Sequence, residues 1–160
     1  MRRSFRISSV VLACAGAVSA AGATAAAAAP ASAAAPAACA TTQTIEISSL
    51  AFQPPAVAPG QSSEAVLTAV NCTAQTQQAS AEWLGRFVGP APGIPTGCPA
   101  IDPIVFSMTF PPHGVLTDGV GYLVPGSCTA TELVVTVEII QQGRVVTQRS
   151  AQLAIEQPLH

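Results

Sequence analysis

The chain contains no lysine, one tryptophan and one tyrosine, and only 9% of its 160 residues are charged. Its basic residues are six arginines, of which Arg2, Arg3 and Arg6 stand together at the N-terminus. From residue 7 onward three arginines face eight acids, a net charge of −5. A domain of that sign lacks the basic footprint a polyanion requires, so nucleic acid is not an expected partner. The missing lysine, with arginine and alanine favoured instead, is a composition expected of a GC-rich bacterial genome.

Chemistry is equally sparse. There is no G-x-S-x-G, no H-E-x-x-H, no glycine-rich phosphate loop and no pair of carboxylates at a working spacing. His113 follows Pro111 and Pro112 and reads as a solvated turn residue, and His160 is the last residue. No catalytic residue is expected, and the chain is read as a non-enzyme. The cysteines that follow the leader are separated by 33, 26 and 30 residues, whereas zinc sites draw on closely spaced pairs. No metal and no cofactor are expected.

What is present begins with a leader. A basic head, an apolar run over residues 7–18 and the small-residue exits Ala23-Thr24-Ala25, Ala27-Ala28-Ala29 and Ala31-Ser32-Ala33 have the layout of a secretory signal peptide over residues 1–33. Alanine supplies 18 of the first 40 residues, which accounts for most of the positive mean hydropathy. The uncharged stretch 7–29 is long enough to span a bilayer, but its Ala, Gly, Ser and Thr content makes it a poor anchor. Val11-Leu12-Ala13-Cys14 resembles a lipoprotein box, and lipidation at Cys14 is the one route to a membrane association. Arg2-Arg3-Ser4-Phe5 resembles the core of a twin-arginine signal without completing it. Secretion to the extracellular space is the expectation. Residues 34–42 are an Ala/Pro-rich segment too poor in large apolar side chains to pack, and they read as a flexible tether.

Residues 43–157 carry an apolar period of two and no helix-length 3.6 repeat. The clearest case is 131–140, where Leu133, Val135, Val137 and Ile139 share one face and Glu132, Thr136 and Glu138 the other. Gln141-Gln142-Gly143 then turns the chain, with glycine supplying the positive φ, into a partner strand over 145–155. Further strands are read at 44–52, 63–71, 79–88, 104–110 and 115–124. The first slips phase at Ser48-Ser49, which reads as a bulge in an edge strand. The third places Ala81, Trp83, Gly85 and Phe87 on one side.

Seven strands with regularly spaced turns and a single tryptophan on the third resemble a secreted bacterial immunoglobulin-like domain. The fold class expected is therefore all-β, a seven-stranded antiparallel immunoglobulin-like β-sandwich with two disulfides. The resemblance is architectural and carries no family residues across. It departs from antibody domains in having no cysteine mid-strand on the second and sixth strands to flank Trp83.

With Cys14 in the leader, Cys39, Cys72, Cys98 and Cys128 remain, an even set that in an exported small domain means two disulfides. Strands that alternate in direction place Cys39 and Cys72 at one pole and allow Cys98 and Cys128 at the other. A strand of eight residues spans roughly 27 Å, whereas bridged Cα atoms lie within about 7 Å, so a bridge from pole to pole is disfavoured. The long connection after the third strand could carry Cys98 back toward Cys72, which is the competing pairing.

That connection, residues 89–103, is the one segment that departs from the background, with five prolines, Cys98, and the apolar side chains of Ile94 and Ile101. It reads either as a rigid crossover or as a presented binding surface, since a loop already ordered loses little entropy on binding. Ile94, Thr96 and Ile101 are the candidate binding residues. Three functions follow: a secreted non-enzymatic module binding an unknown protein or cell-surface partner, a small inhibitor presenting residues 89–103 to a hydrolase, and a carrier of a small apolar ligand.

Overall fold

A computed structural model describes Cys39 and residues 42–158. The leader 1–33, Cys14, most of the segment 34–42, and His160 lie outside the described residues. Within them the chain is all-β with no helix, and it forms eight strands: β1 Ile45–Gln53, β2 Ala56–Val57, β3 Ser62–Asn71, β4 Gln77–Val88, β5 Ile104–Phe110, β6 Val115–Leu123, β7 Glu132–Gln141 and β8 Arg144–Ile155. They form two sheets, one ordered β1-β3-β6 and the other β2-β8-β7-β4-β5. The five-stranded sheet is curled into a half-barrel.

The count differs from the seven strands expected, and the reason is local. Pro54 and Pro55 have no amide proton, so the ladder of β1 on β3 stops at Gln53. Their carbonyls still accept, and Ser63 Oγ donates to Pro54 O at 2.6 Å while Ala154 N donates to Pro55 O at 3.1 Å. The chain therefore crosses to the other sheet, where Ala56 and Val57 pair with Ala154 and Ile155 of β8. This pairing is parallel, so the strands are not all antiparallel as expected; the other strand pairs are.

The phase slip in β1 is a bulge between Ile47 and Ser49, and β1 is an edge strand. The Arg149 guanidinium, reaching from β8, donates to the carbonyls of Ile47 at 3.2 Å and Ser48 at 2.9 Å. The β7 to β8 connection is a two-residue turn in which both central residues have positive φ, Gln142 at 50° and Gly143 at 74°. That is the primed geometry that matches strand twist. Glycine thus supplies only half of what the turn needs, and Gln142 also takes up a left-handed conformation.

Period-two alternation decides what is buried. Leu133, Val135, Val137 and Ile139 of β7 are fully buried, as are Ala81 and Trp83 of β4 and Ala65, Leu67 and Ala69 of β3. These side chains belong to one apolar cluster drawn from both sheets. Each large aliphatic side chain in it contributes about 1.5 to 3 kcal/mol by leaving water. Trp83 is buried completely, so the single tryptophan is a core residue.

The ladders also define two ends. One gathers Asn71, Gln77, Phe110 and Val115, and the other gathers Ser62, Val88, Leu123 and Glu132. Cys39 is bridged to Cys72 at the first end and Cys98 to Cys128 at the second. Cys98 does not fold back toward Cys72, because the connection after β4 stays at the end where β4 finishes. Two disulfides mark an oxidising environment. No helix among the described residues is long and apolar enough to cross a membrane.

Candidate binding loop

Residues 89–103 leave β4 at Val88 and enter β5 at Ile104. They are tied to the segment preceding β7 at several points. The Thr131 amide donates to Val88 O at 2.9 Å. Thr96 O accepts from the Thr129 amide at 3.0 Å and from Thr129 Oγ1 at 3.2 Å. Cys98 N closes a turn onto Pro95 O at 3.2 Å, and its sulfur is bonded to Cys128. Cys128 is itself part of the core.

Gly97 sits inside this staple with φ of 73°, and a Cβ there would collide with the Ser127 carbonyl. Only glycine fits both the backbone angle and the close approach. The prolines remove donors and fix φ on either side. The result is a loop held by covalent and backbone contacts that leave its outer side chains unused.

The three candidate residues separate accordingly. Ile94, next to Gly93 in a left-handed conformation, is 68% exposed, the most exposed of the large apolar side chains among the described residues. Its neighbours Pro92, Pro95, Thr96 and Thr129 line a shallow depression of about 330 Å³. Thr96 anchors the loop through its carbonyl while its side chain is exposed. Ile101 turns the other way. It packs against the core, with its Cδ1 3.1 Å from where a Cβ on Gly85 would stand. It therefore acts as the loop's inner anchor, and Gly85 is small because Ile101 and the Tyr122 ring occupy the space above it.

Tyr122 lies beneath the same loop, edge-on to Phe52 with ring centroids 6.0 Å apart. Its hydroxyl is buried without a hydrogen-bond partner among the described residues, as is Trp83 Nε1. Burial pushes the Tyr122 phenol up to about 12, because the phenolate would lose its solvation.

At the opposite end lies a polar knot that sequence reasoning missed. Asn71 is fully buried. Its Nδ2 donates to Gln75 O at 2.7 Å and Pro111 O at 2.8 Å, and its Oδ1 accepts from Thr73 N at 2.9 Å and Thr73 Oγ1 at 2.8 Å. Asn71-Cys72-Thr73 has the form of a glycosylation sequon, but the amide is spent in an Asx turn that joins the β3–β4 and β5–β6 connections. The signal available was an asparagine closing an apolar strand with threonine two residues on. Cys39, Glu46 and Cys72 also come together here, but the two sulfurs are bonded to each other and are not metal ligands. A cleft of about 840 Å³ beside this knot is lined chiefly by Gln77, Gln78, Gln141, Gln142 and Arg144.

His113 is exposed in the β5–β6 turn, where its amide donates to Thr73 O at 3.0 Å. No family model matches the chain, and no curated protein matches it. Among solved structures it is similar to a Pseudomonas fluorescens alkylpurine DNA glycosylase, AlkC, bound to DNA containing an abasic site analog, at 15% identity and a TM-score of 0.50. That match covers 72% of this chain and 31% of the glycosylase chain, and it is a likeness of fold alone. A match to Spo0M, a sporulation control protein from Bacillus subtilis, has 13% identity and a TM-score of 0.49 over 71% of this chain and 49% of that one. The chain spans about a third and about half of those two proteins.

Proposed function

We propose that the protein is an exported, non-enzymatic binding module of immunoglobulin-like sandwich type, and that it engages a protein partner through residues 89–103. The observation that carries this is Ile94, 68% exposed on a loop held by a disulfide and by the Thr96 carbonyl. A rigid loop pays little entropy on docking, and an apolar side chain displayed on it is a natural anchor for a partner's pocket.

Strand order supports the sandwich. Immunoglobulin constant-type domains set A, B, E and D against C, F and G. Here β1, β3 and β6 correspond to A, B and E, and β4, β7 and β8 to C, F and G, with β5 added outside β4. Trp83 falls on the strand that corresponds to C. The basic head and small-residue exits of the leader, together with two disulfides, support export. The net charge of −5 beyond the leader disfavours nucleic acid as the partner.

A narrower version of this reading makes the partner a hydrolase, with the loop filling its cleft. It rests on the same constrained geometry and is separated by assay. Affinity capture from culture proteins should be run with the wild-type protein and with Ile94→Ser/Thr96→Ser, alongside inhibition of a hydrolase panel. A partner lost by the double variant at unchanged melting temperature supports the reading. A partner retained by the variant returns the loop to the role of a connector.

A further inference from the structure

The two sheets have four edges, and three of them are blocked against further pairing. In β1 the bulge at Ser48 breaks the ladder, and Arg149 occupies the carbonyls of Ile47 and Ser48. The two-residue strand β2 follows directly on Pro54 and Pro55. In β6 the Asp118 carboxylate accepts from the Gly119 amide at 2.8 Å, and two glycines weaken the strand. Charges, bulges, prolines and short strands are the devices by which natural sheets close their edges.

β5 has none of them. Among the described residues it is the outermost strand of its sheet and pairs only with β4. Its sequence, Ile104-Val105-Phe106-Ser107-Met108-Thr109-Phe110, holds no charge, no glycine and no proline. Val105 on the outer face is 59% exposed. Phe106 points inward with Met108 and Phe110, yet it is 38% exposed while those two are buried. An inward aromatic side chain left open at a sheet edge is what a missing neighbouring strand would cover.

We propose that the missing strand is β5 of a second copy of this chain, paired antiparallel about a two-fold axis at Ser107. The register follows from the sequence. Ile104 stands opposite Phe110 of the copy, Val105 opposite Thr109, Phe106 opposite Met108, and Ser107 opposite itself. On the outer face this sets β-branched residues across from each other, and on the inner face it extends an apolar row with a sulfur–aromatic pair over Phe106. No charge enters the pairing, so no like charges are brought together, although a two-fold axis would oppose any that were present. Glu82, the nearest acid on β4, is paired with Val105 and so lies one strand further in. Asp102-Pro103 and Pro111-Pro112 bracket the strand and limit the pairing to these seven residues. The contact uses the same edge on both copies, so it closes at a dimer with one ten-stranded sheet.

Sedimentation equilibrium of the disulfide-intact protein over a wide concentration range tests this. The weight-average mass should rise toward twice the monomer value. Ser107→Lys sets two ammonium groups against each other at the axis and should weaken association at least tenfold, with the melting temperature of the monomer unchanged because Ser107 is exposed. Ile94→Ser should leave the mass unchanged. Amide exchange on the wild-type protein gives a readout that needs no variant: alternate amides of β5 should gain protection as concentration rises. A monomer at every concentration would overturn the proposal, as would a dimer unaffected by Ser107→Lys or one dissociated by Ile94→Ser. Concentration-independent protection of those amides in a monomer would also overturn it, by assigning the edge to another segment of the same chain.

Discussion

The two ends of the molecule are each closed by one disulfide over nearly the same length of chain, 33 and 30 residues, yet they are built on opposite plans. At the Asn71 end the bridge Cys39–Cys72 lies beside a buried amide whose hydrogen bonds draw two turns inward. At the Val88 end the bridge Cys98–Cys128 has one sulfur in the core, and the backbone around it is fixed so that Ile94 stands in solvent. The same covalent device thus serves closure at one end and display at the other. What differs is whether the side chains around it spend their polar and apolar groups internally.

Breaking the bridges gives the largest expected effects. Constraint of the unfolded chain makes each worth about 3.5 kcal/mol. Cys98→Ser with Cys128→Ser should cost more than that, because Cys128 is also packed in the core, whereas Cys39→Ser with Cys72→Ser should stay near it. Denaturant unfolding of the two double variants measures the gap, and equal losses would remove the bridge at the loop from the core.

Asn71→Ala comes next. It removes a fully buried amide that donates to the carbonyls of Gln75 and Pro111 and accepts twice from Thr73, and the loss of these hydrogen bonds should cost about 3 kcal/mol. Asn71→Asp should not rescue it, since a carboxylate cannot donate to those carbonyls. Rescue by aspartate would show that the Thr73 contacts alone hold this end.

Alkaline pH acts on the loop end. Tyr122 is the single tyrosine, so its absorbance titrates alone. Its phenol is raised from 10 to about 12 in the folded protein. Between those values the unfolded chain has released the proton and the folded one has not, so protons stabilise the folded form. Stability should be flat below pH 10 and fall as pH rises toward 12. Tyr122→Phe should abolish that fall without lowering stability near pH 7, because the hydroxyl has no partner to lose. A tyrosine titrating near pH 10 in the folded protein would place the ring in water.

Much of this architecture was legible in the sequence because period-two burial writes itself into the side chains. Trp83, the β7 face and the bulge at Ser48 were all readable as breaks or runs in that alternation. β2 was not, since two residues carry no period, and its existence depends on where Pro54 and Pro55 send the chain. Gln142 was missed because a non-glycine residue in a primed turn has no compositional mark when glycine stands beside it. Ile94 and Ile101 looked equivalent on the loop, seven residues apart and both apolar. Their division into outer and inner is a property of the fold, set by the space over Gly85. Asn71 breaks no period at the end of β3, and its hydrogen bonds to the turn carbonyls of Gln75 and Pro111 are what reveal its use.

Ile94→Ser should change stability least, within about 0.5 kcal/mol, as exposed loop substitutions do. It also gives the most direct test of closure at one end and display at the other, when Ile94→Ser and Asn71→Ala are compared in one experiment that records melting temperature and retention of the captured partner. Ile94→Ser should melt with the wild type and release the partner. Asn71→Ala should melt several degrees lower and, well below its transition, hold the partner as the wild type does. Retention of the partner by Ile94→Ser, or its loss by Asn71→Ala while still folded, would contradict closure at one end and display at the other.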